Sequence, residues 1–265
     1  MKASEVAGPG SGGAPPPRWL LIGNARWHWA ASKPGGPGLL LWHTSPPGPE
    51  LSTLAAGLRA WAAVGPLPVG SALPPSHRLT LASVPLAGAP AWLGVDRALA
   101  GWQAWCLAGG PVLVADAGTV LSLTRVRGDG SFVGGRLLAG AALQWRAMGA
   151  GTALLPCLDP QGPLPEPFNA ESGNAWPQAT EAAMRQGVIA GLTAAVADGF
   201  LEARRDEPQL RLLLCGGDGP SLQTGLHRRL AAEGLAARLW HRPALALEAL
   251  AALAPDQASS RSARI

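Results

Sequence analysis

The chain has 265 residues, 48% apolar and only 14% charged, so it can bury a sizeable core and is not a disordered, solvating protein. Its net charge of +4 rests on scattered arginines, with Lys2 and Lys33 the only lysines, which argues against a nucleic-acid-binding stripe. Cys106, Cys157 and Cys215 form no CxxC pair, the five histidines lack metal-ligand spacing, and no apolar run nears the roughly 20 residues of a membrane span. A disulfide scaffold, a zinc site and a membrane protein are therefore set aside, and a cytoplasmic protein is expected.

In chain order, residues 1–17 read as a disordered leader rich in Gly, Pro and Ala, without the apolar stretch of a signal peptide. Trp19-Leu20-Leu21-Ile22 is a short apolar run stopped by Gly23-Asn24, the pattern of a buried strand entering a tight turn. Leu39–Trp42 reads as a second strand, the alanine-rich stretch Leu51–Val64 as a helix, and Leu79–Val84 as a strand. Asp96–Leu107 has helical spacing.

After Gly109-Gly110 the pattern starts again. Pro111–Ala115 is a strand leading into Asp116-Ala117-Gly118-Thr119, and Val120–Val126 continues as a strand. Gly128-Asp129-Gly130 supplies a hairpin turn before the return at Ser131-Phe132-Val133. Helices are expected at Ala139–Met148 and Gln178–Ala197, a buried strand at Leu210–Leu214, then helices at Ser221–Glu233 and Leu245–Leu253. Residues 255–265 read as a disordered tail. The alternation is α/β, and its two similar openings imply a duplicated lobe, residues 18–108 and 109–254.

Three strand–turn junctions carry glycine: Gly23-Asn24, Asp116-Ala117-Gly118-Thr119 and Gly216-Gly217-Asp218-Gly219. Glycine lets backbone amides approach phosphate oxygens, so this succession over a repeated lobe points to a nucleotide held between lobes. Neither lysine sits in a GxxxxGK[ST] setting or on a strand after GxGxxG, which excludes a P-loop ATPase and leaves a protein kinase unsupported. At Gly94-Val95-Asp96-Arg97 a carboxylate adjoins a guanidinium at a loop-to-helix junction. Asp96 is placed to take a proton from an alcohol while Arg97 holds an anion, but on these four residues alone a helix-capping aspartate beside a solvated arginine is the simpler reading.

Taken together, these motifs resemble those of the type III pantothenate kinases. Gly94-Val95-Asp96-Arg97 is similar to the family's GxDR, and Asp116-Ala117-Gly118-Thr119 to its DxGT. Gly134–Gly140 followed by Thr152–Pro156 resembles GGxIxPG…TAxLP, Thr180 stands where the family has a threonine before a helix, and Leu214-Cys215-Gly216-Gly217 matches a late strand–GG turn. The resemblance implies two ribonuclease H-like (actin-like ATPase) lobes flanking a nucleotide cleft, and phosphorylation of pantothenate by ATP with Mg2+. By the same resemblance Asp96 is the general base, and Gly94, Val95, Asp96, Arg97 and Thr180 hold pantothenate. Leu21, Ile22, Gly23, Asn24, Ala25 and Thr119 lie at ATP, Asp116 binds K+ or NH4+, and the protein is a homodimer with neither nucleic acid nor membrane as partner.

The sequence departs from the family in two places. Leu21–Ala25 stands where the family reads DxGN[ST], so the aspartate that helps arrange magnesium is a leucine here, and Ala139 replaces a proline. A catalytically degenerate, nucleotide-binding regulatory protein is the alternative that Leu21 raises. A sugar or acetate kinase of the same superfold is a third, which the GxDR motif disfavours.

Overall fold

The computed structural model describes residues 15–45, 55–65, 67, 71, 73–159 and 176–254. The expected tail and the first 14 residues of the expected leader lie outside the described residues. Pro17, at the end of that leader, accepts a hydrogen bond from the Ser32 amide at 3.1 Å.

The apolar run at Trp19 lies in strand β1 (Arg18–Ile22), and the stretch after the first turn forms β2 (Trp27–Ser32), which the sequence reading did not anticipate. β3 (Leu39–Thr44) and β4 (Leu58–Ala63) complete a sheet in the order β3-β2-β1-β4, with β1 antiparallel to β2 and parallel to β4.

β4 replaces the helix expected over Leu51–Val64, of which residues 51–54 lie outside the described residues. The helical preference of its alanines amounts to about 0.5 kcal/mol per residue over β-branched ones, and tertiary pairing overrides it. A register shift at Arg59 places Leu58 and Trp61 in one core, with Ala60 and Ala62 in another on the opposite face. The strand expected at Leu79–Val84 is instead a 3-10 turn at Leu81–Ser83, where the Thr80 amide donates to the Ser83 hydroxyl at 3.1 Å. Leu79 meets the first sheet at Trp61, its amide donating to the Trp61 carbonyl at 2.8 Å, and packs into the core with Ala60 and Ala62.

The second sheet consists of β5 (Val112–Ala117), β6 (Val120–Val126), β7 (Phe132–Ala139), β8 (Arg211–Cys215) and β9 (Leu239–His241), in the order β7-β6-β5-β8-β9. β5 pairs antiparallel with β6 and parallel with β8, as β1 does with β2 and β4. Both sheets therefore open with the same motif, a hairpin strand on one side and a parallel crossover strand on the other.

Among the described residues, five α-helices pack against this frame: α1 (Val95–Ala108), α2 (Ala141–Gly151), α3 (Thr180–Asp206), α4 (Gly219–Ala232) and α5 (Leu245–Leu253). α1 and α5 lie between the sheets in a core that includes Trp19, Leu21, Leu99, Val114, Leu213 and Leu250. α2, α3 and α4 cover the other face of the second sheet, around Leu123, Trp145, Phe200 and Leu226. A tryptophan-rich cluster of Leu20, Ile22, Trp27, Trp29 and Trp61 lies on the outer face of the first sheet.

Helix glycines set how closely these layers approach. A Cβ on Gly101 of α1 would lie 3.2 Å from Val126, and one on Gly199 of α3 would lie 2.9 Å from Leu123, so β6 is clasped from both faces. Overpacking such a contact costs about 1–3 kcal/mol. Gly101→Leu is accordingly expected to lower the stability by that amount, read as a lower urea midpoint with an unchanged m-value.

Candidate active site

Side chains alternate along a strand, so β5 sends Val112, Val114 and Asp116 toward the core between the sheets. Asp116 thus emerges at the end of an apolar row, where the two sheets face one another. The turn that follows is stitched to the turn after β8, since the Asp218 amide donates to the Ala117 carbonyl at 2.8 Å. Gly216 has φ +84°, and a Cβ there would meet the Ala117 carbonyl and lie 2.5 Å from Asp116 Oδ1, so no other residue fits. On the other side the Gly140 amide donates to the Thr119 carbonyl at 3.0 Å, with Gly140 itself packed on the Gly118 carbonyl.

Asp96 reaches the same region from α1. The helix is capped by Gly94, so Asp96 is the second helical residue and not the cap. Its Oδ1 is buried without a hydrogen-bond partner. The carboxyl folds back over Gly94, where a Cβ would lie 2.5 Å from Oδ1, which accounts for glycine at that position. Burial pushes the Asp96 pKa above the usual carboxylate range, against the pull of the Arg97 and Asp96 amides and the Arg97 charge.

Arg97 is anchored from behind, its Nε donating to Thr124 Oγ1 of β6 at 3.2 Å. Thr124 is paired with Gly135 of β7, and a Cβ on Gly135 would lie 2.5 Å from Arg97 Nη2. The guanidinium therefore lies across the β6–β7 ladder in space that only glycine leaves open. Burial lowers the Arg97 pKa and Asp96 raises it again.

These groups feel one another's charge. The Asp116 pKa is pushed up to about 6, first by burial and then by the charge of Asp96. Cys215, which pairs with Asp116 on the neighbouring strand β8, has its thiol pushed up by burial, by Asp116 and by Asp96. Burial also raises Asp218, while Arg26 from the first turn opposes it. Arg26 thus links the first-sheet turn to the turn after β8, a role that its place in the sequence did not signal.

At the first turn the Gly23 amide donates to the Arg26 carbonyl at 3.0 Å. Asn24 and Ala25 are exposed there, while Leu21 packs into the inter-sheet core and Ile22 into the outer one. Val95 is buried, and Thr119 is exposed on the turn after Asp116. Thr180 is the exposed first residue of α3, immediately after a segment whose residues 160–175 lie outside the described residues.

The donor set fits a cation: Asp96 has an unpartnered buried oxygen, and Asp116 carries a charge that its surroundings disfavour. Among the described residues no cluster of three or more His, Cys, Asp or Glu stands ready to hold a metal, so such an ion would complete its shell with water, backbone or substrate oxygens.

The sequence profile of the type III pantothenate kinases matches residues 75–202. A type III pantothenate kinase of Synechococcus sp. (strain JA-3-3Ab) is 40% identical over 222 residues, covering 82% of this chain and 86% of that protein. The chain belongs to the type III pantothenate kinase family. Another relative of that name, from Synechococcus sp. (strain JA-2-3B'a(2-13)), is 46% identical over 166 residues, which span 60% of this chain and 62% of the relative. Among solved structures, a conserved Campylobacter jejuni protein described as a Baf-family transcriptional activator superposes with a TM-score of 0.55 at 16% identity, covering 91% of this chain and 99% of that one. That likeness, with the repeated sheet topology, establishes the actin-like ATPase fold for this member of the pantothenate kinase family.

The carboxylate pair has a consequence for stability. Asp116 binds its proton more tightly folded than unfolded, so its contribution is fully present below pH 3.8 and lost as pH rises through about 6. The loss is on the order of 3 kcal/mol at neutral pH. Asp116→Asn, which carries no charge, is expected to gain stability relative to the parent between pH 4 and 7. Urea unfolding of both proteins across that range would measure it, and parallel profiles would refute it.

Proposed function

We propose that this chain transfers the γ-phosphoryl group of ATP to the primary hydroxyl of pantothenate, the first step towards coenzyme A. The observation that carries the reading is the pairing of Asp96, desolvated and with one oxygen unpartnered, with an Arg97 anchored by Thr124, in a chain of this family.

In this reading Asp96 is the general base. Its carboxylate takes the hydroxyl proton as the substrate oxygen attacks the γ-phosphorus, the bond from phosphorus to the β–γ bridging oxygen breaks, and ADP leaves with that electron pair. The raised pKa brings Asp96 closer to neutral pH than an ordinary carboxylate, which makes it the more effective base. Because Thr124 takes Nε, the terminal nitrogens of Arg97 are left to grip the carboxylate of pantothenate, beside the backbone of Gly94 and Val95. ATP lies between the turns at Gly23–Ala25 and Asp116–Thr119, the latter held rigid by Gly140 and Gly216. When bound, Mg2+ neutralises charge on the phosphates, and a monovalent cation, K+ or NH4+, is held at Asp116.

The exposed Thr180 fits a pantothenate site that borders a second copy of the chain in a homodimer. The lobes of that reading are residues 18–108 and 109–254, and its compartment is the cytoplasm, where the thiols of Cys106, Cys157 and Cys215 stay reduced.

Leu21 favours a second reading, a nucleotide-binding regulatory protein without turnover, because its apolar side chain has joined the core. A coupled ADP-release assay with pantothenate, ATP and Mg2+, with and without K+, separates the two. Turnover that requires pantothenate and rises with K+ is expected, and ligand binding without turnover would favour the regulatory reading. Asp96→Asn is expected to lower kcat by about 100-fold or more with nucleotide binding retained. Normal turnover in that variant would remove Asp96 from the role of base.

A further inference from the structure

Beside Asn24 and Arg26 of the turn itself, β2 brings a further polar group to the first turn. Residues opposite one another in antiparallel strands share a face, and Leu21, His28 and His43 form one such row across β1, β2 and β3. Leu21 belongs to the inter-sheet core, so His28 and His43 lie on the face that carries the cleft. The two imidazoles meet edge to face, with centroids 4.8 Å apart and Nδ1 to Nδ1 at 3.0 Å. At that distance one ring donates and the other accepts, which holds the His28 ring in one orientation.

The opposite edge of His28 lies against the turn. A Cβ on Gly23 would be 3.2 Å from His28 Nε2 and 3.0 Å from the Arg26 carbonyl, so the glycine lets the imidazole edge reach the backbone of the turn. Arg26 is exposed at the end of that turn, and its charge acts on His28 and His43 as well as on Asp218 across the cleft. Burial first, then His43 and Arg26, hold the His28 pKa down to about 4. Its ring is therefore neutral at physiological pH, with one nitrogen protonated.

We propose that His28 is a phosphate-binding residue for the nucleotide. His43 donates to His28 Nδ1, which leaves the proton of His28 on Nε2, and that N–H donates to a non-bridging phosphate oxygen held at the Gly23–Arg26 turn beside the Arg26 guanidinium. The site thereby has a neutral donor and a cation at the turn where Leu21 offers no polar group. This inference rests on the reading of the cleft as an ATP site.

The test is calorimetric binding of a non-hydrolysable ATP analogue with Mg2+, and of adenosine, to the full chain and to His28→Ala, His28→Gln and His43→Ala, with kcat and the KM for ATP measured alongside. A hydrogen bond to a charged partner is worth roughly tenfold or more in affinity. His28→Ala is expected to weaken analogue binding by about that factor with adenosine binding unchanged, a split that general structural damage would not produce. His28→Gln, whose amide can donate, is expected to recover part of the loss. Because His43 is exposed, His43→Ala serves should His28→Ala not fold, and it is expected to raise the KM for ATP with a smaller effect on kcat. Equal analogue binding by the parent and both alanine variants, with turnover intact, overturns the role of His28 alone. No analogue binding by the parent overturns the kinase reading and this inference together.

Discussion

Two carboxyls that repel one another, Asp96 and Asp116, are held at the inner edge of the core between the sheets, and much of the surrounding structure serves to keep them there. Like charges brought near one another where water is scarce repel more strongly than in bulk water, so a loose scaffold would let such a pair separate. Here one carboxyl is fixed to the first turn of α1 and the other to the end of β5, and Leu99, Val114 and Leu213 pack into the core around both elements. The folded chain thus stores a charge arrangement that an arriving cation or a transferred proton relieves, a common signature of a functional site.

The glycines around the site follow from close approach between segments far apart in sequence. Gly216 makes way for Asp116 and the Ala117 carbonyl, Gly140 for the Gly118 carbonyl, and Gly135 for Arg97 and the backbone of β6. Each contact is with backbone or with a functional side chain, so the neighbour cannot simply turn aside. The same contacts lock the β5–β6 turn against the backbone that follows β7 and β8, which gives the proposed phosphate site a rigid wall.

The first turn is built differently. Leu21 sits in the apolar core, and the polar edge of the first sheet passes to His28, His43 and Arg26, one and two strands away in the sheet or at the end of the turn. The charge of Arg26 is felt by Asp218 of the turn after β8, although the polar groups of the two turns are unlike.

Much was legible from residue order alone. Short apolar runs bounded by glycine marked β1, β5 and β8, and the Gly128–Gly130 turn marked the β6–β7 hairpin, because buried strands and tight turns leave local chemical traces. The ordered motifs from Gly94 to Gly217 pointed to the family that the comparisons then established. Leu58–Ala63 read as helix because alanine favours helix locally, and only pairing with β1 made it a strand. From its four-residue motif alone Asp96 read more simply as a cap, since a carboxylate near a helix start serves either purpose; its place as the second helical residue and its unpartnered oxygen are products of packing. His28 and His43 are 15 residues apart and carry no spacing signal, and the antiparallel register of β2 and β3 alone brings their rings to 3.0 Å. Sequence by itself determined the kinds of element, their order and the family motifs, which are local properties. Tertiary structure alone decided which side chains share a face, lose water and feel one another's charge, because those depend on segments that meet only when the chain has folded.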